Sequence, residues 1–338
     1  MQAPALSIII VNYRSLALIL DCLQTIYEDG ERERVGDVEV IVVDNDSGDG
    51  GEAVLAQRFP EVRWMQMGYN AGFARANNAG IRASSGTAVL LLNPDILVEE
   101  RSITRSFERL MASSHIACGV QLLNRDRTPQ ISGNYFIRGG INNLLPLPVL
   151  GKLVKWLGNS LKVKKTNIPE ATAAVEVDWI NGAYLMVKRS VLAASGLLDE
   201  DFFLYAEEIE WCARLRRRGT LCLYGDLHVI HLQGESANEA FGSEGQGYHN
   251  LFDRKGRQIM LSNFVRIRKQ FGSAWFLIHL LFYLAEIPFF LLALFFQKLT
   301  GTRRLTLRQW SGYCFNLLFL LRLTPAILRN VPYFYKAF

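Results

Sequence analysis

Cysteine is scarce and scattered: five in 338 residues (Cys22, Cys118, Cys212, Cys222 and Cys314), with no C-x-x-C spacing among them. That excludes a disulfide framework and a structural zinc site, and it fits a reducing compartment. Charged residues make up only 20% of the chain while half of it is hydrophobic, which excludes a disordered or collagen-like polymer. Internal repeats and low-complexity tracts are missing. The opening MQAPALSIII has no basic residue ahead of its apolar run, so no signal peptide is expected. Acids run out towards the end. From Arg254 onward thirteen Lys or Arg stand against one acid, Glu286, a net of +12, whereas the preceding 253 residues carry 24 basic and 31 acidic groups, a net of −7. The same tail holds the longest apolar runs. Basic and apolar character together address an anionic membrane surface, because nucleic acid would want a basic patch without long apolar blocks.

The first hundred residues alternate. Leu6–Val11, Val38–Val43, Val62–Met67 and Ala88–Leu92 are short apolar runs, separated by the amphipathic stretches Leu16–Tyr27 and Ala71–Ala83. Aliphatic runs buried on both faces, with helical patterns between them, predict βαβ units and a parallel sheet. Ligands of such sheets sit beyond the carboxyl ends of the strands. Three of the runs end in polar clusters: Asn12-Tyr13-Arg14-Ser15, Asp44–Gly51 and Asn93-Pro94-Asp95. One such cluster serves equally well as a helix cap or an Asx turn; three on one edge point to a binding site.

Further along, Asp199–Gly219 shows apolar residues at helical spacing, with Glu207, Glu208 and Glu210 in its first half and Arg214, Arg216, Arg217 and Arg218 in its last turn. Helix-dipole complementarity and an i,i+4 Glu210–Arg214 pair explain the arginines. Three glutamates in one turn repel one another, and one of them in a cleft suits a general base that takes a proton from a hydroxyl. His231, twelve residues past Gly219, is by itself either a structural histidine or a ligand.

Six blocks, taken in order, resemble the inverting glycosyltransferase family 2 with the GT-A fold over roughly residues 5–240. They are LSIIIVNY at Leu6–Tyr13, VIVVDNDSGDG at Val40–Gly50, NAGFARANNAGI at Asn70–Ile81, LLLNPD at Leu90–Asp95, the long block Ile180–Gly219, and HLQGES at His231–Ser236. The likeness is to the rhamnosyltransferase-like branch of bacterial cell-surface polysaccharide enzymes. It implies an α/β fold, a Rossmann-like and mostly parallel mixed sheet flanked by helices. Asn12, Tyr13 and Asp44 would hold the nucleoside, and Asn70, Gly72, Asn78 and Asn93 would line the nucleotide-sugar pocket. Asp95, the last carboxylate of the DxD-type motif, and His231 would bind a divalent metal, Mg²⁺ or Mn²⁺. Trp179, Gly182 and Ala183 would lie beside donor sugar and acceptor. Glu208 would be the catalytic base, with Glu207 before it. The chain departs from the family in two places: Asn93 stands where a carboxylate is usual, and Glu208 where an Asp is usual. The implied reaction moves a sugar, best rhamnose from dTDP-rhamnose, onto a lipid-linked saccharide with inversion. UDP-hexose transfer and a non-catalytic nucleotide-sugar-binding membrane partner are the alternatives. A processive synthase would carry a Q-x-x-R-W motif and a pyrophosphorylase a Gly-rich N-terminal loop; the sequence has neither.

The expected division is a catalytic domain over residues 1–252, interrupted by an apolar and basic insertion at 134–170, and membrane-associated helices over 253–338. Within the insertion, Ile141–Lys165 either packs on the domain or lies in a membrane interface. The second arrangement would put Leu144, Leu145, Leu147, Leu150, Leu153, Trp156 and Leu157 on lipid, with Lys152, Lys155, Lys162, Lys164 and Lys165 on headgroups. In the tail, Ser273–Lys298 contains a 22-residue apolar stretch interrupted by His279, Glu286 and Pro288, and Trp310–Leu328 is a second run. Either is long enough for a hydrocarbon core of roughly 30 Å. Basic residues on every flank favour helices lying in the interface, or a shallow re-entrant hairpin, over two full spans. The implied location is the cytoplasmic face of the cell membrane.

Overall fold

The structure is a computed structural model that describes residues 5–28, 38–163, 166–232, 250–301 and 305–337. Gln233–Ser236 of the sixth block, Lys164 and Lys165 of the insertion, and Arg303 and Arg304 of the tail lie outside the described residues. The chain divides into two units: Met1–Tyr135, Asn167–Glu200 and Glu207–Ser236 form the first, and Phe136–Thr166, Asp201–Ala206 and Ala237–Phe338 the second.

The first unit is a mixed sheet with helices packed on its faces. Its first half runs β1 (Leu6–Asn12), α1 (Leu16–Glu28), β2 (Val38–Asp44), α2 (Gly51–Arg58), β3 (Arg63–Gln66), α3 (Gly72–Ala83) and β4 (Ala88–Leu92). Its second half begins with β5 (Ile96–Val98), α4 (Ser102–Ala112), β6 (Ala117–Leu123) and β7 (Gly133–Asn134). Helix α5 (Leu150–Ser160) comes next in the chain and belongs to the second unit. The first unit then resumes with β8 (Ala174–Val177), β9 (Trp179–Ile180), β10 (Tyr184–Lys188), the carboxylate helix α6 (Glu207–Leu215) and β11 (Leu221–His231). The order across the sheet is β3-β2-β1-β4-β10-β6-β11-β5, with β8 on β11 and a separate β7–β9 pair. Strands β3, β2, β1 and β4 are parallel, as their apolar runs predict. Along β1, Leu6, Ile8 and Ile10 enter one core cluster and Ile9 and Val11 the other. Burial on both faces is why the sequence reads as a continuous run instead of alternating.

Strand β10 runs antiparallel to both β4 and β6, and β11 runs parallel to β6. The start of β10 and the ends of β1, β2, β4 and β11 therefore share one edge, which is how residues far apart in sequence meet.

Besides α5, the second unit holds a short 3₁₀ segment (Arg138–Leu144), α7 (Arg254–Phe271), α8 (Ser273–Thr300) and α9 (Leu307–Arg329). Asp253 caps α7 by accepting from Gly256 N, and Thr306 with Gln309 forms a capping box on α9. Helices α8 and α9 are long and apolar enough to cross a membrane. Their apolar surface is only partly covered: Leu281, Leu292, Phe295, Phe296 and Leu318 are exposed, while Phe276, Tyr283, Phe290, Tyr313 and Leu317 are buried. The polar side chains within the α8 run are buried too, and each has a partner. His279 Nε2 meets Gly140 O at 3.0 Å, Tyr283 donates to Asn143 O at 3.1 Å, and Glu286 accepts from Val149 N and Leu150 N at 2.7 and 2.8 Å. These three residues lie on one helical face, and that face is the track on which the 139–150 segment is laid.

The insertion needs a correction at three positions. Leu144, Leu147 and Leu150 are buried in the second unit's own core, not on a lipid-facing side. They flank the backbone groups that α8 binds, so they are drawn inward with them. Gly139 and Gly140 both take left-handed φ, 64° and 68°. A side chain on Gly139 would also collide with the Trp275 indole.

Candidate active site

At the ends of β1 and β2, buried Asn12 Nδ2 donates to Asp44 Oδ1 at 2.8 Å and to Asp49 Oδ2 at 3.0 Å, while its Oδ1 accepts from Ser15 N at 3.1 Å. Asp44 Oδ2 accepts from Ser47 N at 3.0 Å, and Ser47 Oγ accepts from Arg14 N at 3.0 Å. The two strand-end loops are thus tied into one structure by buried polar groups, which have to be satisfied where they are. Arg14 and Asp46 hold left-handed φ of 55° and 60°, a conformation that costs energy in non-glycine residues and gathers at functional sites. Tyr13 stands at the same edge, half-buried, with the Arg14 guanidinium 5.5 Å over its ring. Asn45 joins the second loop to α3, accepting from Ala71 N at 3.2 Å and donating to Gly72 O at 3.1 Å. Asn70 accepts from Gly72 N at 3.1 Å, closing the turn before α3.

Beyond β4, Asn93 N donates to Ala183 O at 2.9 Å, which fastens the Asn93-Pro94-Asp95 turn to the start of β10. Leu232 N donates to Asp95 O at 3.0 Å and brings the end of β11 alongside. His231 Nε2 then stands 3.4 Å from Asp95 Oδ1. Both side chains are buried, and among the described residues Asp95 Oδ1 accepts no hydrogen bond. The other ring nitrogen, Nδ1, lies 2.8 Å from Gln130 Oε1. Gln130 Nε2 faces two acceptors, Asn124 Oδ1 and His231 O, both at 2.8 Å. That fixes the amide with its oxygen towards the ring, so Nδ1 carries the hydrogen. In a neutral imidazole the Nε2 lone pair then points at a carboxylate oxygen, an arrangement that wants a cation or a proton between them. An oxygen and a nitrogen donor so placed fit a divalent ion that completes its shell with phosphate oxygens and water. Among the described residues, no group of three or more His, Cys, Asp or Glu could hold a metal by protein ligands alone.

Helix α6 begins at Glu207, later than the apolar spacing from Leu204 predicts. Tyr205 and Ala206 explain the late start, because both are left-handed, φ 72° and 69°, and a right-handed α-helix does not pass through two such non-glycine residues. The sharp turn delivers three buried glutamates in the first helical turn. Glu210 is neutralised by Arg214, which donates to it at 2.8–3.0 Å and also to Ser195 O and Leu197 O. Glu208 lies against Gly182: a Cβ there would sit 3.3 Å from Glu208 Cβ and Cγ, and 3.8 Å from the Phe73 ring. Ala183 N is held by Asn181 Oδ1 at 2.9 Å. Glu207 is buried beside Glu208 in the same turn.

The expected residues thus form three contacting groups: Asn12 with Asp44, Asp95 with His231, and Gly182 with Glu208. Asn93 and Ala183 bridge the last two through backbone. Two residues are placed otherwise. The Asn78 carboxamide closes on Leu198, accepting from its N and donating to its O, and reaches Glu200 Oε1 at 3.0 Å. Burial raises the Glu200 carboxyl, but Arg82 and Asn78 outweigh it and leave the group below its ordinary value. Trp179 is half-buried on β9, paired with Asn134 of β7. Sequence reasoning missed Gln130, Asn45 and Asp49. The last two belong to a polar cluster that was visible; Gln130 had no local signal, being 101 residues from its partner.

The sequence model of glycosyl transferase family 2 matches residues 7–160. Over 220 residues the chain is 31% identical to the low-salt glycan biosynthesis hexosyltransferase Agl10 of Haloferax volcanii, covering 63% of this chain and 62% of that relative. The chain therefore spans somewhat less than two thirds of that relative's length. It is 27% identical over 228 residues to the N-acetylglucosaminyl-diphospho-decaprenol L-rhamnosyltransferase of Mycobacterium tuberculosis, covering 63% and 72% of the two chains. Among solved structures, a mannosyltransferase of Pyrobaculum calidifontis in complex with GDP-Man and Mn²⁺ shares the fold, with a TM-score of 0.52 at 16% identity over 98% of this chain and 89% of that one. In this sheet, in the order of its blocks and in these relatives, the chain is similar to glycosyltransferase family 2 and to its rhamnosyl- and hexosyltransferases.

Proposed function

We propose that the protein is an inverting glycosyltransferase that moves a sugar from a nucleotide donor onto a lipid-linked saccharide. The carrying observation is the Asp95–His231 pair, whose buried oxygen has no hydrogen-bond partner among the described residues, joined through Asn93 and Ala183 to the strand start where Gly182 meets Glu208. Glu208 takes the proton of the acceptor hydroxyl as its oxygen bonds to the anomeric carbon. The bond from that carbon to the diphosphate oxygen breaks in the same displacement, which inverts the centre. Asp95 and His231 would hold a divalent cation, Mg²⁺ or Mn²⁺, whose chemistry is to stabilise negative charge on the departing diphosphate. The absence of a side chain at Gly182 lets the start of β10 come close against the base.

The donor we favour is dTDP-rhamnose, with an acceptor on a polyprenyl diphosphate, supported by the mycobacterial relative's rhamnosyl transfer to a decaprenol-linked sugar. A UDP-hexose is the second reading, favoured by the haloarchaeal hexosyltransferase. Mn²⁺ in the mannosyltransferase complex supports the metal. A lipid-linked acceptor and the apolar helices α8 and α9 together support action at the cytoplasmic face of the membrane.

The test is thermal stabilisation of detergent-solubilised protein by a panel of nucleoside diphosphates, with and without Mn²⁺ or Mg²⁺. Ligand at a hundred times its Kd adds roughly 2.7 kcal/mol. A metal-dependent shift with dTDP or UDP, lost in Asp95→Ala, is the expected result. No shift with any nucleotide would remove the reading.

A further inference from the structure

The insertion helix α5 is amphipathic in an unusual place. Its first two residues, Leu150 and Gly151, are buried, yet Leu153, Trp156, Leu157 and the following Leu161 are exposed, Trp156 by 62% and Leu161 by 74%. Leu153, Trp156 and Leu157 are one turn apart and share a face. Lys152 and Lys155 stand beside them, and Lys162 comes after the helix. Large apolar side chains seldom stay in water as a contiguous patch, and an aromatic with flanking lysines is the composition of a helix lying in a bilayer interface. The helix is also fixed in position. Both oxygens of Glu286 bind its N-terminal Val149 and Leu150 amides, and His279 and Tyr283 hold the segment that leads into it. A carboxylate at a helix N-terminus complements the helix dipole, so α5 travels with α8 as one piece. The exposed apolar side chains of α8, Leu281 and Leu292 among them, have the same need of a non-aqueous partner.

We infer that α5 is a lipid-docking helix: it lies in the headgroup layer of an anionic bilayer, its Leu153–Trp156–Leu157 face in the acyl boundary and its lysines on anionic headgroups. The inference rests on the membrane-associated reading of α8 and α9 and adds to it a third element of opposite design, short, surface-lying and sensitive to lipid charge. Glu286 would then serve as the clamp that sets the angle at which α5 meets the membrane.

The experiment places a nitroxide at Leu157→Cys, and separately at Leu292→Cys, in full-length protein carrying Cys314→Ser. Accessibility to oxygen and to a water-soluble nickel chelate is read in nanodiscs of phosphatidylcholine alone and of phosphatidylcholine with phosphatidylglycerol. On the anionic discs the Leu157 label should favour oxygen several-fold. On neutral discs, and in Lys152→Glu/Lys155→Glu, that preference should fall, while the Leu292 label stays in lipid throughout. Brominated phosphatidylglycerol should quench wild-type tryptophan emission more than that of Trp156→Phe. A Leu157 label in water beside a Leu292 label in lipid overturns the inference and leaves the membrane reading standing. Both labels in water overturn both. Equal insertion on neutral and anionic discs overturns the assignment to anionic lipid.

Discussion

Gln130 grips His231 at two points, Oε1 on the ring Nδ1 and Nε2 on the main-chain carbonyl, each at 2.8 Å. The first contact sets the tautomer and the second holds the strand end, so the lone pair of Nε2 is aimed before any ligand arrives. Such outer partners of metal-binding histidines tune affinity strongly. Gln130→Leu is expected to weaken Mn²⁺ binding about 10–100-fold, measured by electron paramagnetic resonance titration, while the far-ultraviolet circular dichroism stays the same. Unchanged affinity would reduce Gln130 to a packing role.

Two glutamates two residues apart are expected to separate chemistry from stability. Glu208→Gln should lower kcat by about 10²–10⁴-fold, the usual contribution of a general base, with nucleotide binding retained. Glu210→Gln removes the charged partner of Arg214, which donates to that carboxylate through both Nε and Nη2. Its effect should fall on stability, about 1.5–3 kcal/mol for a charge-assisted hydrogen bond, read in denaturant melts. The reverse pattern would exchange their roles.

The Glu200 carboxyl sits below its ordinary 4.5 because Arg82 and Asn78 outweigh its burial. A lowered folded value contributes stability above the unfolded value, and that stability is lost as pH falls through the folded one. The melting-temperature advantage of wild type over Glu200→Gln should therefore be full at neutral pH and fade on acidification below 4.5. An advantage that grows in acid would contradict the assignment.

Gly139→Ala combines a left-handed backbone with a collision against Trp275. Overpacking of this kind costs about 1–3 kcal/mol, and the strain at positive φ adds to it. The variant should melt lower, whereas Gly158→Ala on α5, where a Cβ meets nothing within 4 Å, should match or exceed wild type.

Much of the first unit was legible because its rules are local. Both-face burial makes β1, β2 and β4 read as aliphatic runs, and a parallel sheet places the residues after each strand on one edge. The polar clusters that hold Asn12, Asp44 and Asp95 stood out for that reason, and the family resemblance singled out the residues within them. The Glu210–Arg214 pair was legible too, since one helical turn brings i and i+4 together. The late start of α6 was not, because nothing in the types of Tyr205 and Ala206 announces a left-handed backbone. Surrounding structure imposes it.

The sequence by itself determined the strand runs, the polar strand ends and the apolar tail, each a matter of residue type at short spacing. The tertiary structure decided the partners: Gln130 for His231 across 101 residues and Glu286 for the α5 amides at separations of 137 and 136. It also decided which leucines of the insertion turn inward. A buried polar group has to find a complement wherever the fold supplies one, and strand order and helix docking choose that complement.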